Sequence, residues 1–355
     1  MTFTQAKFLK ASVAALSILA VAACQTISET ALYQSAQAND PDAQYELGMM
    51  YLEGDTLTRL EADPKKAVSW LLASAQQGNA NAQFEVAKLY DTGTGTLEND
   101  AIASKYFKAA ADQGITEAQV IYGQRLIEGV GVDANPVEGV SYLQTYADAS
   151  GDTAVETELA ARFLNGDGVE KDTAEAAKWL GKLGAKGDLG AMYDLGKLYY
   201  DGDGVEQDMV KAEYWLREPA AEGEYILAQF MLGTLYRDGH GVTQHFGTAA
   251  KWFDLAANQG HVRSQVELAK LFRGGKGVER SLVMAHKWLN IGATITKVEK
   301  SDSDVGALRA SVVEMRDAVA EMMVLRDVAK AQMLAAEWWE DRSTVVNNAE
   351  TLQTY

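Results

Sequence analysis

Apolar positions recur along the chain with two superposed periods. The short period is helical: apolar residues return every fourth position, as in Ala43, Leu47 and Tyr51, and so share one face of a helix. The long period is set by a bulky residue that returns every 36 or 37 positions, at Tyr33, Trp70, Phe107, Leu143, Trp179, Trp215, Trp252 and Trp288. A period of this length indicates a repeat array, in which each unit is one supersecondary element that buries its apolar face by stacking on its neighbours.

A small residue lies in the middle of the first helical segment of each unit. These residues are Gly48, Ala87, Gly123, Ala160, Gly196, Gly233 and Ala269. Glycine inside a helix costs about 1 kcal/mol relative to alanine, so its recurrence needs a packing reason. We expect a neighbouring helix to approach closely at this position.

A turn with two glycines follows this segment, as in Gly202 and Gly204. The first glycine suits the left-handed residue that ends a helix, and the second suits a tight reversal. A second helix then starts from a capping side chain, a role assigned to Asp63, Asp100, Asn135, Asp172 and Asp208. Each unit is therefore predicted to be a helix–turn–helix hairpin.

Over residues 29–295 the chain resembles the Sel-one-like repeat (SLR) family of tetratricopeptide-related units. The resemblance rests on the small residue, the glycine turn, the cap and the tryptophan of each unit. The resemblance implies an all-α fold, a right-handed solenoid of about seven antiparallel helix pairs. It also implies a concave groove that binds other proteins. Some members are envelope lipoproteins that scaffold polysaccharide export. A cysteine-rich branch has reported penicillin-binding or β-lactamase activity, and the repeats of this chain contain no cysteine.

The pattern changes after Trp288. A polar linker leads into two amphipathic segments, 304–323 and 325–339, that lack the repeat signature. Terminal repeats need a cap with a polar outer face, so we assign residues 296–341 to a C-terminal helical cap and residues 342–355 to a flexible tail.

The N-terminus has the features of a processing signal. Lys7 and Lys10 precede an apolar stretch, and the run from Val21 to Cys24 resembles a bacterial lipobox. Because Cys24 is the single cysteine of the chain, we expect residues 1–23 to be removed, Cys24 to be lipidated and the solenoid to occupy 24–295. Gln25 replaces the aspartate that retains lipoproteins at the inner membrane, which by resemblance implies the outer membrane, facing the periplasm. The alternative is an ordinary secretory signal with a chance cysteine.

Composition and the motifs of the sequence argue against several classes of function. The net charge is -18, and the sequence has no cluster of Lys and Arg of the kind that binding to nucleic acid requires. None of the 4 histidines forms a zinc-binding pair, and neither a nucleophile elbow nor a phosphate-binding loop occurs. The sequence therefore predicts no enzyme activity, no metal and no cofactor.

The first helices of the last three units hold the candidate groove, if first helices line it as in related repeats. Their inward positions would be Tyr193, Lys197, Tyr200, Phe230, Thr234, Arg237, Val266, Lys270 and Arg273. Aromatic and basic residues could bind an acidic protein segment or an anionic polymer. The alternative is that the aromatic rings pack between helices and the basic residues form salt bridges with neighbouring units.

These features favour a non-enzymatic scaffold or adaptor, anchored by lipid in the cell envelope and binding protein partners. One alternative is a binder for exopolysaccharide (alginate-like) export, with an anionic polysaccharide as ligand. A cell-wall or β-lactam hydrolase is disfavoured, because the cysteines and the catalytic sets are missing.

Overall fold

The computed structural model describes residues 31–54, 60–298 and 303–346, which contain helices and no β-strand. The chain divides between Lys171 and Asp172 into two compact units. The helices of the first unit are α1 (31–37), α2 (Pro41–Glu53), α3 (Pro64–Gln76), α4 (Ala80–Thr92), α5 (Asp100–Asp112), α6 (Thr116–Glu128), α7 (Pro136–Ser150) and α8 (Thr153–Asn165). Those of the second are α9 (Thr173–Ala185), α10 (Leu189–Asp201), α11 (Met209–Glu222), α12 (Ile226–Asp238), α13 (Phe246–Asn258), α14 (Val262–Gly274), α15 (Leu282–Val298), α16 (Ser303–Ala320) and α17 (Leu325–Val346).

Two kinds of helix alternate from α2 to α15. The even-numbered helices, called A helices below, end at a glycine; the odd-numbered ones, called B helices, follow a polar capping residue. From α4 to α14 every A helix ends at a left-handed glycine, as Gly202 (φ 72°) does for α10, which confirms the role predicted for the first glycine of the turn. The chain is thus an all-α helical repeat solenoid.

The second glycine of the turn has a role that the sequence did not reveal. Gly131 has φ 65°, and a Cβ placed on it would lie 2.2 Å from the carbonyl carbon of Asp100. Gly95 and Gly241 meet the first turns of α3 and α11 in the same way. This glycine therefore lets the turn of one hairpin touch the B helix of the hairpin before it.

The caps of the B helices match the prediction with one exception. Asp63, Asn135, Asp172 and Asp208 each accept a hydrogen bond from the first turn of their helix. The assignment of Asp100 was wrong, because the extended residue is Asn99, whose side chain accepts from the Ile102 amide at 3.0 Å.

The series of bulky residues read from the sequence combined two adjacent positions of the B helix. The seventh residue after the cap is aromatic in each B helix: Trp70, Tyr106, Tyr142, Trp179, Trp215, Trp252 and Trp288. The eighth residue is buried in each case, with at most 4% of its surface exposed: Leu71, Phe107, Leu143, Leu180, Leu216, Phe253 and Leu289. Phe107 and Leu143 therefore belong to the buried series, and Tyr106 and Tyr142 are the equivalents of the tryptophans.

The buried eighth residue packs on the small residue of the A helix. A Cβ added at Gly196 would lie 2.7 Å from Leu216 Cγ, and one added at Gly233 would lie 2.5 Å from Phe253 Cε1. This contact is the packing reason expected for the recurring glycine. Trp215, by contrast, is half-buried and lies over Gly184 of the preceding B helix.

Helices α16 and α17 follow the last B helix without the repeat signature. Trp338 of α17 is buried in the core that also contains Trp288 of α15. Arg342 donates from Nε to the Asn258 carbonyl at 2.8 Å, and its guanidinium lies 4.7 Å from the Trp338 ring centre. Because of these contacts the helix runs on to Val346, past residue 341, where the sequence suggested that a tail begins. Residues 1–23 and Cys24, assigned to the lipoprotein signal, lie outside the described residues.

Candidate functional site

The candidate groove residues occupy equivalent positions on α10, α12 and α14. In α10 and α12 the small residue faces the following B helix: Gly196 faces Leu216, and Gly233 faces Phe253. The groove positions lie beside this contact on the helix surface. We call the following set the docking face: Tyr193, Lys197, Tyr200, Phe230, Thr234, Arg237, Lys270 and Arg273.

Val266 is not part of this surface. It is 6% exposed and belongs to the core around Trp288, so its assignment to the groove was wrong. Valine is shorter than the Tyr193 and Phe230 at the equivalent positions, and its apolar side chain packs entirely inward.

The aromatic residues of the docking face are half-buried. The ring of Tyr193 lies 5.4 Å from that of Tyr225, the residue that precedes α12. Phe230 packs against Phe253 and His261, with ring centroids 6.0 Å and 4.9 Å away. Part of the aromatic surface is thus core, and the remainder is open to solvent.

Two polar contacts join the three A helices. Tyr200 of α10 lies beside Thr234 and Asp238 of α12, and burial is the largest cause that raises the pKa of its hydroxyl. Arg237 of α12 donates from Nη1 to Glu267 of α14 at 2.7 Å. The docking face is therefore one connected surface across three successive A helices.

Carboxylates neutralise most of the basic residues on this face. Lys197 pairs with Asp201 at 3.1 Å, and Lys270 pairs with Glu267 at 2.7 Å. Arg237 binds both Asp238 and Glu267, and the hydrogen bond to Asp238 is the main cause that raises the pKa of its guanidinium.

Arg273 differs from the other basic residues of the docking face. Its side chain is exposed, and it forms no ion pair with a residue that the structure describes. It is therefore the cation of this face most available to a ligand.

The sequence analysis gave salt bridges of the basic residues as an alternative but did not name the carboxylates that form them. The pairs Lys197–Asp201 and Glu267–Lys270 have spacings of four and three residues, at which helical side chains meet, so helix geometry could have revealed them. Contacts between helices, such as Arg237–Glu267 and Phe230–His261, have no comparable local signal. Burial lowers the pKa of His261 to about 4, with a smaller contribution from Arg263, so this ring is neutral behind Phe230 at pH 7.

The described residues lack two kinds of functional feature. None of their helices is long and apolar enough to cross a membrane. Nor do they contain a group of three or more His, Cys, Asp or Glu side chains placed to hold a metal ion.

Comparison with known families decides which class of repeat this is. The Sel1 repeat model matches seven successive segments, at residues 41–79, 80–115, 116–150, 155–188, 190–223, 226–261 and 262–294. The chain belongs to the Sel1 repeat family. Sel1 repeat proteins are generally protein-interaction scaffolds and are typically non-catalytic.

Solved structures similar to this Sel1 repeat chain come from several bacteria. A Sel1 repeat protein from Oxalobacter formigenes shares 28% identity, with 81% of each chain covered and a TM-score of 0.42. A protective antigen of uropathogenic Escherichia coli strains that displays an SLR fold shares 24% identity, covering 87% of this chain and 78% of the other, with a TM-score of 0.38. A Sel1 repeat protein from Klebsiella pneumoniae shares 18% identity, covering 68% and 97%, with a TM-score of 0.26.

Proposed function

We propose that this Sel1 repeat protein is a non-enzymatic scaffold of the bacterial cell envelope, held at the membrane by lipid on Cys24. Its partner is a protein that binds the docking face. The observation that carries this proposal is the continuity of that face: aromatic and paired charged side chains run without a break across α10, α12 and α14.

The aromatic residues supply the main anchors for a partner. Their inner edges are fixed by Tyr225, Phe253 and His261, so binding would cost little side-chain entropy. Rigid aromatic side chains with an exposed edge, next to arginine, are the residues that contribute most at protein interfaces.

The ion pairs favour a protein over an anionic polysaccharide. A polyanion would meet Asp201, Asp238 and Glu267 as well as the cations they neutralise. A protein surface with charges of both signs can match such a mixed pattern, and Arg273 adds one cation that has no ion-pair partner among the residues that the structure describes. The same charge pattern makes the polysaccharide role the weaker alternative.

Photo-crosslinking in native membranes tests the proposal. A probe at Tyr200 or Lys270 lies on the docking face; the control is Tyr214, which is 67% exposed on the B helix α11 of the same unit. We expect one protein to be captured from both docking-face positions and not from Tyr214. Capture of polysaccharide, or equal capture from all three positions, would contradict the proposal.

A further inference from the structure

Helix α17 is fixed to its own unit by one face. Ala331, Ala335 and Trp338 are buried, and they recur at helical spacing along the side that faces α15. Trp338 Nε1 also donates to Asn258 Oδ1 at 3.4 Å, beside the Arg342 contact. These contacts fix the orientation of α17 and so determine which of its faces points away from α15.

The opposite face of α17 has a second apolar stripe that no described residue covers. Leu325 is 89% exposed and Met333 is 54% exposed. With the exposed Ala329 and Ala336 they follow a spacing of four, four and three residues, which places all of them on one side of a helix. An apolar stripe of this kind is the pattern of a helix that packs against a partner helix.

Charged residues along one edge of this stripe indicate the partner. At 3.6 residues per turn, Arg326, Lys330 and Glu337 fall on the same edge, the two cations toward the N-terminal end and the carboxylate toward the C-terminal end. Lys330 and Glu337 are both exposed, and neither forms a salt bridge with another described residue. Two copies of this edge that run in opposite directions would therefore place cations opposite carboxylates.

We infer that the occupant of this stripe is a second copy of the chain, bound through an antiparallel pair of α17 helices that cross near Met333. In a twofold interface the same edge of each helix faces its counterpart in the opposite direction. Lys330 of one copy then lies opposite Glu337 of the other, twice in each dimer, while the Leu325, Ala329, Met333 and Ala336 stripes pack together. This contact is separate from the docking face and does not depend on the proposed scaffold role.

Charge reversal tests both the surface and its direction. The full chain, purified in density-matched detergent, is examined by sedimentation equilibrium, and we expect a dimer. Lys330→Glu and Glu337→Lys should each raise the dissociation constant about tenfold, because each places two like-charged pairs in the interface. Mixing these two variants should restore the dimer, since Glu at 330 then faces Lys at 337. Circular dichroism checks that both variants remain folded.

A crosslink in membranes gives an independent readout. Met333→Cys should form a disulfide-linked dimer on mild oxidation, whereas Leu97→Cys, at an 86% exposed position in the other unit, should not. The unsubstituted chain shows what Cys24 contributes. A monomeric wild-type chain, a dimer unaffected by the single reversals, or crosslinking of Met333→Cys only to a different protein would each overturn the inference.

Discussion

A buried arginine replaces leucine in one repeat and shows how a single residue can join two hairpins. Four residues before the terminal glycine, α4, α10, α12 and α14 have a buried leucine, such as Leu89 or Leu235, whereas α8 has the half-buried Arg162 and α6 has the buried Arg125. Its guanidinium donates to Asp91 of α4 at 2.5 Å and to Asp100 of α5 at 2.6 Å, and Nε donates to Ser104 at 2.8 Å. The arginine thus ties the α4–α5 hairpin to the helix that follows it.

Two substitutions at Arg125 should have very different costs. Arg125→Ala leaves a cavity and two unpaired carboxylates, and we expect a loss of about 2–4 kcal/mol in the free energy of unfolding. Arg125→Leu leaves the same two carboxylates unpaired, but their side chains are 36% and 48% exposed and can be hydrated. Because the leucine found at this position in α4, α10, α12 and α14 also fills the cavity, we expect a change within about 1 kcal/mol. Urea unfolding of both variants measures this. Equal losses would show that the ion pairs themselves stabilise the fold.

Two turn glycines allow the energetic cost of a left-handed backbone to be separated from the cost of a steric clash. Gly131 and Gly114 both have positive φ, of 65° and 89°, but a Cβ on Gly114 would meet nothing within 4 Å. Gly114→Ala should therefore cost only the backbone strain, about 1 kcal/mol, whereas Gly131→Ala must also push the turn away from Asp100 and should cost more. Thermal melting compares the two, and similar shifts would mean that the turn relaxes freely.

At the element scale, the register of the B helix decides which residue stabilises the repeat. Leu216 is fully buried against Gly196, whereas Trp215 is half-buried. Leu216→Ala should cost about 3 kcal/mol or more, and Trp215→Ala should cost less, about 1–2 kcal/mol, despite the larger side chain. Urea titration of the two variants tests the order. A larger loss for Trp215→Ala would restore the tryptophan as the main core residue, as its sequence period suggests.

The elements themselves were predictable because their signals are local. The left-handed glycines and the Asx caps each depend on a few neighbouring residues, and the structure confirms the glycines and four of the five caps. Phe107 and Leu143 were placed in the tryptophan series by mistake, because each is more apolar than the tyrosine before it, Tyr106 or Tyr142. The contact of Arg237 with Glu267 on the docking face was missed because contacts between helices leave no periodic trace. The end of α17 was missed because Arg342 is held by Asn258, which lies 84 residues away.

At the scale of the whole molecule, the proposed contact surfaces and the proposed anchor lie far apart in the sequence. The docking face and α17 both belong to the second unit, whereas Cys24 precedes the first helix of the first. A lipid on Cys24 would hold the chain at the membrane through its N-terminus alone. Neither proposed surface would then be needed for attachment, and both would remain available for binding.

Cys24→Ser tests this division of roles in the full chain. A serine cannot take a thioether-linked lipid, so we expect the variant to incorporate no labelled fatty acid and to keep residues 1–23, with a slower mobility on gels than the wild-type chain. Dimerisation through α17 should be unchanged, since it requires only residues of the second unit. If the variant is cleaved and released in soluble form, the segment is an ordinary secretory signal. If it still incorporates label, the lipid is attached elsewhere.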